Sequence, residues 1–437
     1  MQVSVEQTQQ EKQDETPLTL SPALATQFVE ALQFCKTIVD FDNPQTINMR
    51  SKKADYLTKI FNTVNNVHVF RSLDESLRVE LFDMIKVNIL REIPPIPLTI
   101  IYADSRIPIN TNSWLHLSTV HRILYSFVSN SEISALQNLL TKDFLTRYIT
   151  LLESPDPKEI QAVESFILLV FDTVSGYRQI IFQIILRQLL KYRDNYMLYP
   201  CVAPCLRFLH HFLKAQTLPL KPPFFTLYKT IIFPLISSQM SSEFFGPFNQ
   251  LAEFFESQDG TISTWTLYEL VKHWPKTDTN KETAFLSHFS YLAPHLPPKD
   301  IESCGLIIFN ILKESLDSLN FKTNISALNV ITNKNFLIVF SSFSTKLVPI
   351  ILKGVDRCST HWNVVVSKAA LDAARVLMSV NHDVGSRLEI GRIESERNRA
   401  IQSKRRNWEV LVEEVTKNDK NNFDKEEILQ RIDVLFK

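Results

Sequence analysis

Glycine is what this chain has least of: seven in 437 residues, against 30 phenylalanines. Tight hairpins and phosphate-cradling loops draw on glycine's left-handed backbone, so its shortage disfavours sheet-rich and dinucleotide-binding folds and favours helices joined by polar or proline turns. Charge of either sign in excess is also missing. Lys and Arg total 47 and Asp and Glu total 47, which argues against nucleic acid as the main partner, since phosphate binding needs a basic surplus. The five cysteines, Cys35, Cys201, Cys205, Cys304 and Cys358, are odd in number and scattered. They read as reduced thiols of an intracellular protein behaving as small apolar side chains. Cys201 and Cys205 lie four apart, but a metal there would need two further ligands and no Cys or His pair of suitable spacing follows. Long apolar runs are lacking too. Phe166–Val174 is interrupted by Asp172, and Ile180–Leu190 by Gln183 and Arg187, so neither approaches the ~18 uninterrupted apolar residues of a membrane span.

What is present is helical periodicity, clearest between Ile262 and Leu292. Trp265, Leu267, Leu270, Val271 and Trp274 recur at three-and-four spacing, the stripe of one helix face. Pro275 cannot continue that helix. The chain restarts at Thr279-Asn280-Lys281-Glu282, which predicts a capping box between Thr279 and Glu282, and Phe285, Phe289 and Leu292 give the second helix its stripe. Two helices joined by a short turn cannot bury both stripes alone. They need like neighbours on each side, the physical logic of a helical solenoid.

The same pattern predicts helices over 23–40, 52–67, 73–91, 131–140, 144–152, 160–175, 178–192, 197–215, 223–238, 243–256, 299–316, 327–341 and 345–355, with one more opening at Trp114. The segment 96–112 reads as an excursion between repeats. At Ser154-Pro155-Asp156-Pro157-Lys158-Glu159, Asp156 is placed as N-cap, Pro157 as first helical residue and Glu159 as third. Starts near Ser113, Asp156 and Met197 are about forty residues apart, a HEAT-type period. The organisation expected is a disordered polar tail over 1–20, an all-α, HEAT-like solenoid of antiparallel helix pairs (a curved right-handed superhelix) over 21–383, and a charged helical extension over 384–437. In that last stretch 23 of 54 residues are charged, and Trp408, Leu411, Val412 and Val415 form one short apolar stripe.

Lys272-His273-Trp274-Pro275-Lys276-Thr277, followed by Lys281-Glu282 and Phe285-Leu286, resembles the signature turn of the B-prime regulatory subunits of protein phosphatase 2A. Other anchors follow at compatible distances: Val39-Asp40-Phe41, Val87-Asn88 before Pro94-Pro95, Trp114-Leu115-His116-Leu117, Ser154 to Glu159, Leu218-Pro219-Leu220-Lys221 and Thr360-His361-Trp362-Asn363. The resemblance covers roughly Phe28 to Asn381. It implies a scaffold or catalytic-subunit contact at Asp156, Pro157, Lys158 and Glu159 and at Trp274, Pro275, Lys276 and Thr277. It also implies a groove for short motifs of the type Leu-x-x-Ile-x-Glu. There the family pattern His-Arg-x-Tyr, then Gly-x-Arg, is replaced by Leu168-Leu169-Val170-Phe171, then Gly176-Tyr177-Arg178. Arg178 matches and Phe171 keeps the ring, but the His-Arg pair has become Leu168-Leu169. A hydrogen bond to a charged group is worth ~1.5–3 kcal/mol, so the lost pair implies a grip on the motif's Glu at least about tenfold weaker.

No active site is legible. None of the seven glycines precedes the Asp or Asn that metallophosphatases place after Gly, and their spacing fits neither a phosphate loop nor a nucleophile elbow. His116 and His121 are five apart, which is not zinc-protease spacing, and His210-His211 reads as a partly exposed pair. The function expected is therefore non-catalytic: a regulatory subunit of protein phosphatase 2A that binds the scaffold and catalytic subunits and recruits phosphoproteins through short linear motifs. It needs no cofactor, metal, nucleic acid or membrane insertion, and its place is cytoplasmic or nuclear. The alternative is a free-standing helical-repeat adaptor or transport-type solenoid without phosphatase association.

Overall fold

Short polar side chains decide where many of the helices begin. Asn66, Asp74, Thr141, Asp259, Asp278, Asn320 and Asn333 each stand in extended backbone and accept a hydrogen bond from an amide two or three residues on. Each bond satisfies one of the amides that a helix start leaves without an intrahelical partner. The computed structural model describes residues 22–93, 109–195, 201–238, 240–380, 401–417 and 425–435, and among these there are helices and turns but no strand. The predicted tail over 1–20, the excursion expected over 96–112 as far as residue 108, and the start at Met197 lie outside the described residues.

The chain divides into two compact units between Leu251 and Ala252. The first carries α1 (Pro22–Cys35), α2 (Ile47–Asn65), α3 (Val67–Ser72), α4 (Glu75–Ile89), α5 (Trp114–Asn130), α6 (Ile133–Leu139), α7 (Lys142–Thr150), α8 (Pro157–Thr173), α9 (Arg178–Asn195), α10 (Val202–Lys214) and α11 (Pro222–Leu227). Helix α2 packs on α5, α5 on α8 and α8 on α10, while α1, α4, α7 and α9 back them. Rings fill the interior: Phe70 meets Phe127 at 5.3 Å, Phe82 meets Phe144 at 5.0 Å, and Tyr148 meets Phe166 at 4.7 Å.

Helix α12 (Phe245–Gln258) crosses the division. The second unit then carries α13 (Gly260–Lys272), α14 (Thr279–Leu292), α15 (Ile301–Leu316), α16 (Phe321–Thr332), α17 (Lys334–Val339), α18 (Ser344–Ser359) and α19 (Val364–Val380). Helix α14 packs on α16 and α16 on α19 in one row, with α15 on α18 in the other. This is the repeated helix stacking that the periodicity implied. Gly305 and Gly354 allow the second row its close approach. A Cβ on Gly354 would lie 2.8 Å from Leu316 Cβ, and one on Gly305 2.9 Å from Leu347 Cδ1. Beyond them come α20 (401–417), in which Val412 is buried while Trp408, Leu411 and Val415 are exposed, and α21 (Lys425–Leu435).

Several expected elements are corrected. The cap before α14 is Asp278, which accepts from the Lys281 amide at 3.1 Å. Thr279 and Glu282 instead receive bonds from Asn320 and Thr323 of the following repeat, each 2.9 Å. The helix expected over 223–238 is broken into α11, a π turn over Tyr228–Ile232 and a 3₁₀ segment over Phe233–Ser237. Pro234 is the cause, since it has no N–H to offer Thr230, and Arg193 Nη1 donates to the Thr230 carbonyl instead at 3.1 Å. The span 327–341 begins earlier, as α16, and restarts as α17 where Asn333 caps. Helix α1 stops at Cys35, short of the expected Asp40, and α19 had no counterpart among the expected helices.

Among the described residues no single helix is long and apolar enough to cross a membrane. Only 157–173 and 175–194 taken together pass that test, with a bend of 116° between them.

Candidate functional site

The start of α8 is a heavily bonded turn. Asp156, fully buried, accepts from the Lys158 amide at 3.0 Å and the Thr111 amide at 2.9 Å, and its own amide donates to Ser154 Oγ. Asp156 as cap and Pro157 as first helical residue match the expected start. Glu159, three residues on, does not turn back to the cap. It is fully buried and takes both prongs of the Arg91 guanidinium at 2.6 and 2.7 Å. Burial on its own would raise the Glu159 pKa. The facing His121 (Nε2 to Oε1, 3.7 Å), the two-pronged Arg91 bond and Ser154 outweigh it and hold the carboxyl at about 2. By geometry the Arg91 fork is the strongest of these holds. His121 Nδ1 bonds the Tyr148 hydroxyl at 2.9 Å, and burial, then the nearby Glu159 charge, keeps that phenol well above its usual range. Of the implied contact residues here, only Pro157 and Lys158 are exposed.

Between α8 and α9 lies the turn implied as a motif groove. Phe171 is 1% exposed and packs edge-on against Phe208 and His211 at 5.5 and 5.3 Å, so it is core. Tyr177 is also buried, its hydroxyl donating to the Leu136 carbonyl at 3.2 Å. Arg178 is different. It is exposed, with Nε donating to the Phe171 carbonyl at 3.0 Å and the guanidinium 5.0 Å over the Phe171 ring. Its two terminal nitrogens bond to no protein group among the described residues. Leu168 and Leu169 are half-buried. An ion pair and a hydrogen bond join α8 to α10 on either side of Leu168 along the helix: Glu164 holds Arg207 at 2.6 and 2.7 Å, and His211 Nε2 meets Asp172 Oδ1 at 2.9 Å. Thus the structure brings Phe171 and Arg178 together, puts Tyr177 inside, and leaves a guanidinium and two leucines available.

In the second unit Trp274 is half-buried, stacked on Phe289 at 5.8 Å and edge-on to Phe285 at 5.9 Å. Pro275 is half-buried, and Lys276 and Thr277 are exposed. The ring anchors the turn while the residues after it face outward.

Sequence reasoning missed Arg91 and His121 as partners of Glu159, and Tyr148 as the partner of His121. They come from three other helices or their ends, and a contact of sequence separation 68 leaves no periodic trace. The one usable sign was the acid at the third helical position. Among the described residues no group of three or more His, Cys, Asp or Glu could hold a metal ion.

Residues 16–415 match the model of the family described as protein phosphatase 2A regulatory B subunit (B56 family). The chain is 22% identical over 393 residues to the 56 kDa regulatory subunit delta 1 isoform of serine/threonine-protein phosphatase 2A from Schizosaccharomyces pombe, covering 88% of this chain and 70% of that one. It is 22% identical to the 59 kDa B' eta isoform of the same regulatory class from Arabidopsis thaliana (83% and 71%) and to the human 56 kDa alpha isoform (81% and 73%). Among solved structures, a designed armadillo repeat protein aligns over 53% of this chain at 13% identity and a TM-score of 0.31.

Proposed function

The chain belongs to the B56 family of protein phosphatase 2A regulators, non-catalytic members of the holoenzyme whose family implies association with the scaffold and catalytic subunits, and from that premise we propose that it is a substrate-targeting subunit recruiting phosphoproteins by short linear motifs. The observation that carries the reading is the run of the family model over 16–415, which takes in nearly every helix described. The exposed members of the two anchored turns, Pro157 and Lys158 in one unit and Lys276 and Thr277 in the other, are the proposed contacts with the other subunits. Asp156, Glu159 and Trp274 hold those turns in shape from behind. The repeat body is assigned to 21–383, with 1–20 and 384–437 as appended segments.

Motif recognition is assigned to the strip of Leu168, Leu169 and Arg178. Arg178 is pre-oriented by Phe171, so little side-chain entropy is lost when its terminal nitrogens take a carboxylate. The two leucines offer apolar surface but no donor, so the grip on an acidic end rests on one guanidinium. Titrating a Leu-x-x-Ile-x-Glu peptide against wild type and Arg178→Ala tests this. Wild type is expected to bind at least about tenfold tighter, the worth of a charge-assisted hydrogen bond. Equal binding by the two proteins ends the groove assignment.

A further inference from the structure

A second recognition surface lies in the second unit, in a cleft of about 570 Å³ between α14, α16 and the turns that follow them. Its walls are built in register. One is made by Ser287, Ser290, Tyr291 and Pro294, an i, i+3, i+4, i+7 stripe at the end of α14. The other is made by Ser326, Asn329, Val330 and Asn333, the same four positions 39 residues further along, on α16 and its cap. Consecutive repeats therefore present equivalent positions side by side.

Beside Tyr291, Pro294 and Val330, these stripes carry hydroxyls and carboxamides. Some are used within the chain: Ser287 Oγ donates to Ala284 O, Ser326 Oγ to Thr283 O, and Asn333 Oδ1 caps α17. Others are not. The side chains of Ser290, Asn329 and Asn335 hydrogen-bond to no protein group among the described residues, and the amide nitrogen of Asn333 is likewise unused. The cleft has no Lys or Arg among its lining residues, and its one carboxylate, Glu253, has His295 4.0 Å away. Neutral groups that offer both donors and acceptors complement a peptide group, whereas without Lys or Arg they leave a phosphate's charge uncompensated.

We propose that this cleft binds the main chain of an extended, largely uncharged polypeptide segment of a partner protein, through Ser290, Asn329, Asn335 and the Asn333 amide. The periodicity is the reason for choosing a chain over a compact small molecule. Neighbouring helices stand ~8–10 Å apart, and an extended chain advances ~3.3 Å per residue. About every third peptide group can then meet the next stripe. The assignment is independent of phosphatase association and of the Arg178 strip, which lies in the other unit.

Displayed random peptides of about twelve residues, enough at ~3.3 Å per residue to cross both stripes, are selected on the full chain. Counter-selection uses a Ser290→Leu/Asn329→Leu double variant, both positions lying outside the buried core. Circular dichroism and thermal unfolding confirm that the variant folds, and Asn333 is left alone because it caps a helix. Selected peptides are expected to bind the variant at least about tenfold more weakly. Replacing single peptide amides by esters should weaken binding about two- to tenfold at the contacting positions, while alanine at most peptide side chains changes it little. The proposal is overturned if no selected peptide distinguishes wild type from the variant. It is equally overturned if the peptides that do are indifferent to ester replacement and follow side-chain charge.

Discussion

At the scale of single residues, the buried polar groups are what hold this chain to one arrangement. Glu159 is fully buried and Arg91 side-chain exposure is 24%, so truncating the arginine strands a carboxylate in the interior. Arg91→Ala should cost about 3–5 kcal/mol in chemical denaturation, far more than Arg375→Ala in the exposed Arg375–Asp372 pair, where loss should stay under about 1 kcal/mol. The same carboxylate sets an acid limit. Its folded pKa, about 2, lies below its ordinary 4.5, so its contribution is complete above pH 4.5 and is lost as pH falls toward 2. That contribution is about 3 kcal/mol. Glu159→Gln should therefore be less stable near neutrality and should show a shallower acid-side decline than wild type when unfolding is followed against pH. Lys53 shows why such groups elude sequence reading. It is 2% exposed, donating to the Thr37 carbonyl at 2.8 Å and Asn88 Oδ1 at 2.6 Å, and burial lowers its pKa. In sequence it is one lysine among many in a helix.

At the scale of elements, periodicity located the helix faces, but the cap was misplaced by one residue where two acceptors stood in a row. The capping box was expected at Thr279, but the carboxylate one residue earlier, Asp278, took the role. Asp278→Ala should cost about 1 kcal/mol. Thr279→Ala should act instead through the lost bond from Asn320, and a double-mutant cycle with Asn320→Ala checks that assignment. Glycine scarcity excludes folds, but the few glycines present also have a positive task that the sequence concealed. Gly354 sits where α18 crosses α15, and an added Cβ would meet Leu316 Cβ at 2.8 Å, whereas at Gly246 it would meet nothing within 4 Å. Gly354→Ala should destabilise by about 1–3 kcal/mol in thermal or urea unfolding, and Gly246→Ala should be neutral or mildly stabilising. Pro234 was visible in the sequence, but its effect on the helix over 223–238 was not. Whether a proline bends, breaks or starts a helix depends on what replaces its missing donor, here Arg193 from another helix.

For the molecule as a whole, the fold class was legible because repeats of about forty residues leave their period in the sequence. Several of the residues that carried the resemblance prove to be joints between helices. Phe41 meets the His116 ring at 4.8 Å, Asn88 donates to Cys35 O at 3.0 Å and receives Lys53, Glu159 holds Arg91, and Trp274 packs on Phe289. These motifs were readable because each has a fixed structural task, while the side chains between them need only be apolar and of suitable size. The outward surfaces carry no such constraint. Exposed residues such as Pro157, Lys276 and Arg178 could be singled out only through the resemblance, and the polar cleft beside α14 left no sign until its stripes stood side by side.

The central claim, that this chain acts by docking onto a phosphatase and not by chemistry of its own, is tested most directly by mixing it with purified scaffold and catalytic subunits of protein phosphatase 2A and measuring the mass of the eluted species. A single complex holding all three proteins in equal amounts is expected. Elution of the chain alone, apart from a scaffold–catalytic pair that remains intact, would contradict the account.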